Sequence, residues 1–131
     1  RQMCIRDSAK AVGDAGRVRA IEGSQRAVAD ATANLAGMPW ASASAARIDE
    51  RTAAKVSADA VVADPPRAGL GKKTASALAK AEARIVLVSC DPAAMARDVA
   101  ELVAGGKTVE SMAAFDIFPH THHVEVVTAL R

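Results

Sequence analysis

No tyrosine occurs in the 131 residues, and the aromatic side chains are confined to Trp40, Phe115 and Phe118. A core without many large rings is assembled from small aliphatic pieces, so each buried residue contributes modestly to stability. The two cysteines, Cys4 and Cys90, form neither a CxxC pair nor a disulfide framework. This argues against a disulfide-stapled secreted scaffold and suits a reducing, cytoplasmic setting. No apolar run approaches the length of a membrane span and no secretory signal is visible, so no membrane partner is expected. The formal charge of +2 permits a nucleic-acid partner without arguing for one, because the signature of such binding is a clustered basic patch. Internal repeats and low-complexity linkers are lacking as well, and the length suits one domain rather than two.

What is present centres on residues 84–98. Ile85 to Val88 is a short, continuous apolar run with β-branched members, which predicts a strand buried on both faces. Asp91 suits a helix N-cap, and Pro92 stands where a helix tolerates proline best, at its first position. Met95, Val99, Leu102 and Val103 then recur with helical spacing, and Gly105-Gly106 supplies the stop. Cys90 is thereby placed at the carboxyl end of a strand, just before a helix. Ligands bind at that edge in open α/β sheets, and a helix N-terminus favours negative charge, which suits a thiolate. A lone cysteine is more often a structural, buried one; this position argues for a reactive one.

Nearer the N-terminus, residues 1–8 differ in composition from the rest of the chain and are read as a non-native remnant joined to a partial reading frame; Cys4 is set aside with them. Ala9 to Ala15 is expected to be the tail of a helix, Arg17 to Ile21 a strand, and Ser24 the cap of a helix to about Ala36. Glu22 closes the strand. An acidic residue there is the usual partner of ribose hydroxyls in nucleotide-binding βαβ units, although taken alone a solvent-facing strand end is the plainer account of it. Ala41 to Ile48 alternates weakly, and Arg47, Asp49, Glu50 and Arg51 read as a solvated charge cluster. Ala60 to Ala63 predicts a buried strand that ends in Asp64-Pro65-Pro66-Arg67-Ala68-Gly69-Leu70. Two prolines fix an extended path without amide donors, so Asp64 is presented rigidly, at the same edge as Cys90. Lys72 to Ala81 predicts a short helix whose lysines face phosphate or water.

Beyond Gly106, Lys107 to Met112 predicts a strand, and the alternation around His123 to Val127 predicts a last one that contains Glu125. His120, His122 and His123 invite a metal reading. With no further cysteine or carboxylate at ligand spacing, a turn with alternating imidazoles is the better account, and no metal site is expected.

Four segments in this order resemble the RNA (uracil-5-)-methyltransferases: Val18-Arg19-Ala20-Ile21-Glu22, Asp64 to Leu70, Val88-Ser89-Cys90-Asp91-Pro92 with Ala96-Arg97-Asp98, and Phe118-Pro119-His120-Thr121-His122-His123-Val124-Glu125. The resemblance covers roughly residues 9–131. It implies an α/β, Rossmann-like class I methyltransferase sheet with helices on both faces and an antiparallel last strand. It implies S-adenosyl-L-methionine as cofactor and a uridine of tRNA or 23S rRNA as substrate, with no DNA partner. Carried over residue by residue, Cys90 matches the nucleophile that adds to C6, and Glu125 the base that removes the C5 proton. Glu22 matches the acid that holds the cofactor ribose, and Asp64 lines the cofactor and target-base pocket. Set against the family, the chain lacks the first strand with its Gly-rich loop, the upstream segment with a glutamine near the cofactor, and the N-terminal RNA-binding domain. It therefore reads as the C-terminal part of a methyltransferase domain, inactive alone, with two strand edges left unpaired.

Three other readings compete. Cytosine-5 methyltransferases share the cysteine adduct but usually place proline before the nucleophile, where this chain has Ser89. Amino-methyltransferases follow Asp-Pro-Pro with an aromatic residue, where this chain has Arg67. A non-catalytic Rossmann-like domain that binds RNA or a partner would need neither Cys90 nor Glu125.

Overall fold

The computed structural model describes residues 2–117, 120 and 124–131. The chain divides into two compact units, residues 1–48 and 49–131. In the first, α1 (Gln2–Val12) precedes β1 (Val18–Glu22), α2 (Gln25–Asn34) and β2 (Ala41–Ala45). The two strands pair in parallel from Val18↔Ala41 to Glu22↔Ala45. Ser24 caps α2 by accepting from the Ala27 amide at 3.4 Å. Ala9, Ala31 and Leu35 are buried here, and the Trp40 indole Nε1 donates to the Ala9 carbonyl at 2.8 Å. The composition break at residue 8 is no structural break, because α1 runs through it.

The second unit contains α3 (Glu50–Ala53), β3 (Ala60–Ala63), α4 (Lys72–Ala79), β4 (Arg84–Ser89), α5 (Pro92–Ala104), β5 (Val109–Phe115) and β6 (Glu125–Leu130). Its sheet has the order β3-β4-β6-β5. β3 and β4 are parallel, whereas β6 lies antiparallel to both β4 and β5. Among the described residues β1 pairs with β2 alone and β3 with β4 alone.

The core of this unit lies on one face of the sheet. Ile85 and Leu87 of β4 and Val126 and Leu130 of β6 meet Ala53 of α3, Leu78 of α4, and Met95 and Leu102 of α5. The strand expected to be buried on both faces is therefore buried on one: Ile85, Leu87 and Ser89 are enclosed, but Val86 and Val88 are only half-buried. On β3 the exposure is greater still, Val62 being 62% exposed. The physical reason is that α3, α4 and α5 each contribute to the cluster on the Ile85 face. An edge strand with an exposed valine is also a site prone to unwanted strand pairing.

A helix begins within the charge cluster at 47–51, where Arg47, Glu50 and Arg51 are exposed: Asp49 Oδ1 accepts from the amides of Arg51 and Thr52, both at 3.0 Å, and caps α3. One further expectation is corrected. On α5 the buried stripe is Ala94, Met95, Asp98 and Leu102, while Val103 is 46% exposed. The helix is thus turned so that a carboxylate, not Val103, faces inward.

Leu102 is fully enclosed, at 0% exposure, in the centre of the cluster. Leu102→Ala is expected to lower the unfolding free energy by about 2–5 kcal/mol, from lost transfer energy plus the residual cavity. Urea unfolding followed by circular dichroism measures it, and a loss under about 0.5 kcal/mol, the range of an ordinary surface change, contradicts the packing described.

Candidate active site

The sheet of the second unit gathers three of the four predicted site residues at one edge. Asp64 follows the last residue of β3, and Cys90 follows the last residue of β4. The two strands are parallel, with Ala63 opposite Leu87, so both chains leave the sheet on the same side. Glu125 is the first residue of β6, which runs the other way. The last β4–β6 pair is Ser89↔Val126, and one step outward along that register lie Cys90 and Glu125. A thiol and two carboxylates therefore stand at the ends of three neighbouring strands. Such a set can perform nucleophilic addition with a carboxylate as proton acceptor.

The segment around Cys90 is held by its neighbours. Ser89 Oγ donates to the Asp91 carbonyl at 3.1 Å, and the Asp91 amide donates back to Ser89 Oγ at 3.3 Å. The Asp91 carboxylate caps α5, accepting from the Ala94 amide at 2.7 Å. Cys90 itself is a free cysteine of intermediate exposure. Glu125 is half-buried and pairs with Phe115 on β5.

The loop that carries Asp64 is anchored at its far end by a residue to which sequence reasoning gave no role. Asp98 of α5 is 3% exposed. Its Oδ2 accepts from the Leu70 amide at 2.6 Å and its Oδ1 from the Gly71 amide at 3.1 Å. The signal was there in outline, since a carboxylate three residues after Met95 and four before Leu102 falls on the buried stripe.

Glu22, the fourth predicted residue, belongs to the unit of residues 1–48. It ends β1, its Oε1 accepts from the Ser24 amide at 3.0 Å, and its carbonyl accepts from the Ala46 amide at 3.0 Å. Of the lysines open to phosphate, Lys72 has a carboxylate close by, its Nζ lying 3.5 Å from Glu101. Phe118, Pro119, Thr121, His122 and His123 of the fourth segment lie outside the described residues, and the histidine reading with them. Among the described residues no helix is long and apolar enough to cross a membrane. A cavity of about 640 Å³ in this unit is lined by Asp59, Lys80 and Glu82, residues that precede β3 and β4; it is therefore at the end of the strands opposite to Cys90.

Residues 40–131 match the family model described as tRNA (Uracil-5-)-methyltransferase. An uncharacterized RNA methyltransferase from Streptomyces avermitilis is 46% identical over 123 residues, covering 91% of this chain and 28% of that protein. A similar protein from Streptomyces coelicolor is 44% identical, with 91% and 27% covered. The chain thus spans little more than a quarter of the length of these curated relatives. Among solved structures it is similar to the Pyrococcus abyssi tRNA (uracil-54, C5)-methyltransferase in complex with S-adenosyl-L-homocysteine: TM-score 0.72, 26% identity, 98% of this chain and 37% of that one. The precorrin-6y C5,15-methyltransferase of Geobacter metallireducens shares the fold at TM-score 0.65 and 21% identity, with 93% and 71% covered.

Proposed function

The chain belongs to the tRNA (uracil-5-)-methyltransferase family, and we propose that it supplies the nucleophile and the base with which a longer cytoplasmic enzyme methylates C5 of a uridine in tRNA or 23S rRNA. Its fold is the α/β class I S-adenosylmethionine-dependent methyltransferase fold with an antiparallel last strand. Matching about a quarter of its relatives' length supports a part of a longer protein, and our reading takes residues 9–131 as the C-terminal part of such a domain. One observation carries the reading: Cys90 and Glu125 stand one step beyond the Ser89↔Val126 pair, with Asp64 at the end of the next strand.

The residues fit S-adenosyl-L-methionine. Glu22 uses Oε1 on its own turn, which leaves Oε2 to accept from ribose hydroxyls at the end of a parallel strand. In the second unit Asp64, set between β3 and two prolines at the edge that holds Cys90, is the residue we assign to the lining of a ligand pocket there. When bound, the cofactor supplies an electrophilic methyl group on a sulfonium.

The chain's own residues do the rest. Uracil C5 is a weak carbon nucleophile. The Cys90 thiolate adds to C6, forming an S–C6 bond and moving the C5–C6 π electrons onto C5 and the O4 carbonyl. C5, now electron-rich, would take the methyl group as the sulfonium's S–CH₃ bond breaks and its electrons return to sulfur, leaving a neutral thioether. Glu125 removes the C5 proton, the C5–C6 double bond re-forms and the S–C6 bond breaks, returning the thiolate. Neither C5 nor C6 can be reached within a stack, so the target uridine has to be flipped out.

The test uses a full-length protein carrying this chain, incubated with S-adenosylmethionine and RNA that contains 5-fluorouridine. Fluorine cannot leave as a proton does, so a protein–RNA adduct that survives denaturation is expected. A folded protein that binds both ligands and yields no adduct overturns the uracil-C5 chemistry, and the non-catalytic RNA-binding reading then takes its place.

A further inference from the structure

We propose that Asp98 is a positioning residue, which locks the 64–71 loop to the helix that begins just after Cys90 and so holds Asp64 in place relative to the nucleophile. The inference rests on the uridine-methylating reading for its kinetic consequence, though not for its geometry.

Asp98 sits on a stripe otherwise made of Ala94, Met95 and Leu102. A carboxylate there is costly unless its oxygens are hydrogen-bonded. The donors that meet it come from outside its own helix. They are two backbone amides, Leu70 and Gly71, which lie 28 and 27 residues earlier in the chain, one on each oxygen. Charge-assisted bonds of this kind are short and strong, and 2.6 Å to Leu70 agrees with that.

The loop is shaped to reach Asp98. Pro65 and Pro66 fix its start. The Gly69 amide then closes a turn onto the Pro66 carbonyl at 2.8 Å. Gly69 has φ 82 and Gly71 φ 78, both in the left-handed region that glycine enters without strain. At Gly69 there is a second reason for glycine, since a Cβ would overlap Asp98 Oδ2. The segment from Asp64 to Arg67 therefore lies between the end of β3 and the anchor at the Asp98 carboxylate. That anchor lies about 9 Å along the axis of α5 from Pro92, at a 1.5 Å rise per residue. Through this rigid helix the loop and the Cys90 segment move as one piece.

Asp98→Asn is nearly isosteric but has only one oxygen, so one of the two amides would face an NH₂ group. In the full-length protein this variant is expected to lower kcat about 10- to 100-fold per folded molecule, the scale of an ångström-sized misplacement. It should also lower the hydrogen-exchange protection of whichever of the Leu70 and Gly71 amides faces the NH₂ group. Gly69→Ala, which pushes the same contact apart from the loop side, should reproduce both effects. Val99→Ala, the next residue on α5 and packed on the same core, should lower stability while kcat per folded molecule and the two amides stay as in the wild type. Equal kinetic loss in Asp98→Asn and Val99→Ala, or wild-type kcat in Asp98→Asn and Gly69→Ala, overturns the positioning role. Failure of the uridine reading is separately visible, because the wild type would then trap no 5-fluorouridine adduct while the amide exchange still reports on Asp98.

Discussion

Cys90→Ala in the full-length protein is expected to abolish methylation, with turnover reduced about 10⁴-fold or more, the scale seen when a nucleophile is removed from a site whose members act as a unit. The loss should be chemical rather than structural. Cys90 lies between β4 and α5, and the contacts that hold this segment belong to its neighbours: Ser89 Oγ with both backbone groups of Asp91, and the Asp91 carboxylate with the Ala94 amide. Removing one sulfur atom from a partly exposed position is expected to change stability by about 1 kcal/mol at most. Cofactor affinity should stay near wild type in equilibrium dialysis, while no adduct forms on 5-fluorouridine RNA. Cys90→Ser should behave like the alanine variant, because a hydroxyl is a far weaker nucleophile than a thiolate at neutral pH. If methylation persists within about tenfold of wild type in either variant, the covalent route through Cys90 is wrong.

The legible parts of this molecule are those whose cause is local. Asp91, Pro92 and Gly105 mark the two ends of α5 by cap chemistry that acts within a few residues, and the helix runs Pro92–Ala104 accordingly. Ala60 to Ala63 is likewise bounded by the prolines that come after it. Faces were less legible. The Ile85–Val88 run has no alternation, and only the position of α3, α4 and α5 decides which side of it is enclosed. β5 runs later than its β-branched members suggested, Val109–Phe115, because its register is fixed against β6, Glu125–Leu130, with an irregularity between Val109 and Ser111.

The site divides in the same way. Cys90 and Asp64 stand at strand ends that can be read in the chain. Glu125 came from the family resemblance, and only the antiparallel register brings it to the Cys90 edge. Asp98 escaped because its partners lie 27 and 28 residues away, a separation over which helical spacing carries no information. A buried acid on an apolar stripe is nevertheless a pattern to notice, since some donor must meet it.

Glu125→Gln is the second large effect, and it differs in kind from the loss of Cys90. Glutamine keeps the shape of glutamate and leaves the backbone ladder of Glu125 with Phe115 intact, so folding and ligand binding should be little changed. It cannot accept the C5 proton. Turnover is expected to fall about 10²- to 10⁴-fold, the usual contribution of a general base. The steps before proton removal do not need the carboxylate, so Cys90 can still add to C6 and C5 can still take the methyl group. The adduct should then accumulate on ordinary uridine RNA, with no fluorine needed, as a band that survives denaturation and carries the transferred methyl label. In Cys90→Ala/Glu125→Gln no such band can form, and its turnover should equal that of Cys90→Ala, because residues serving one sequence of steps are not additive. A Glu125→Gln variant that is slow but leaves only free RNA would place the carboxylate before adduct formation instead. Glu125 would then assist the addition of the thiolate, and another group would have to remove the proton at C5.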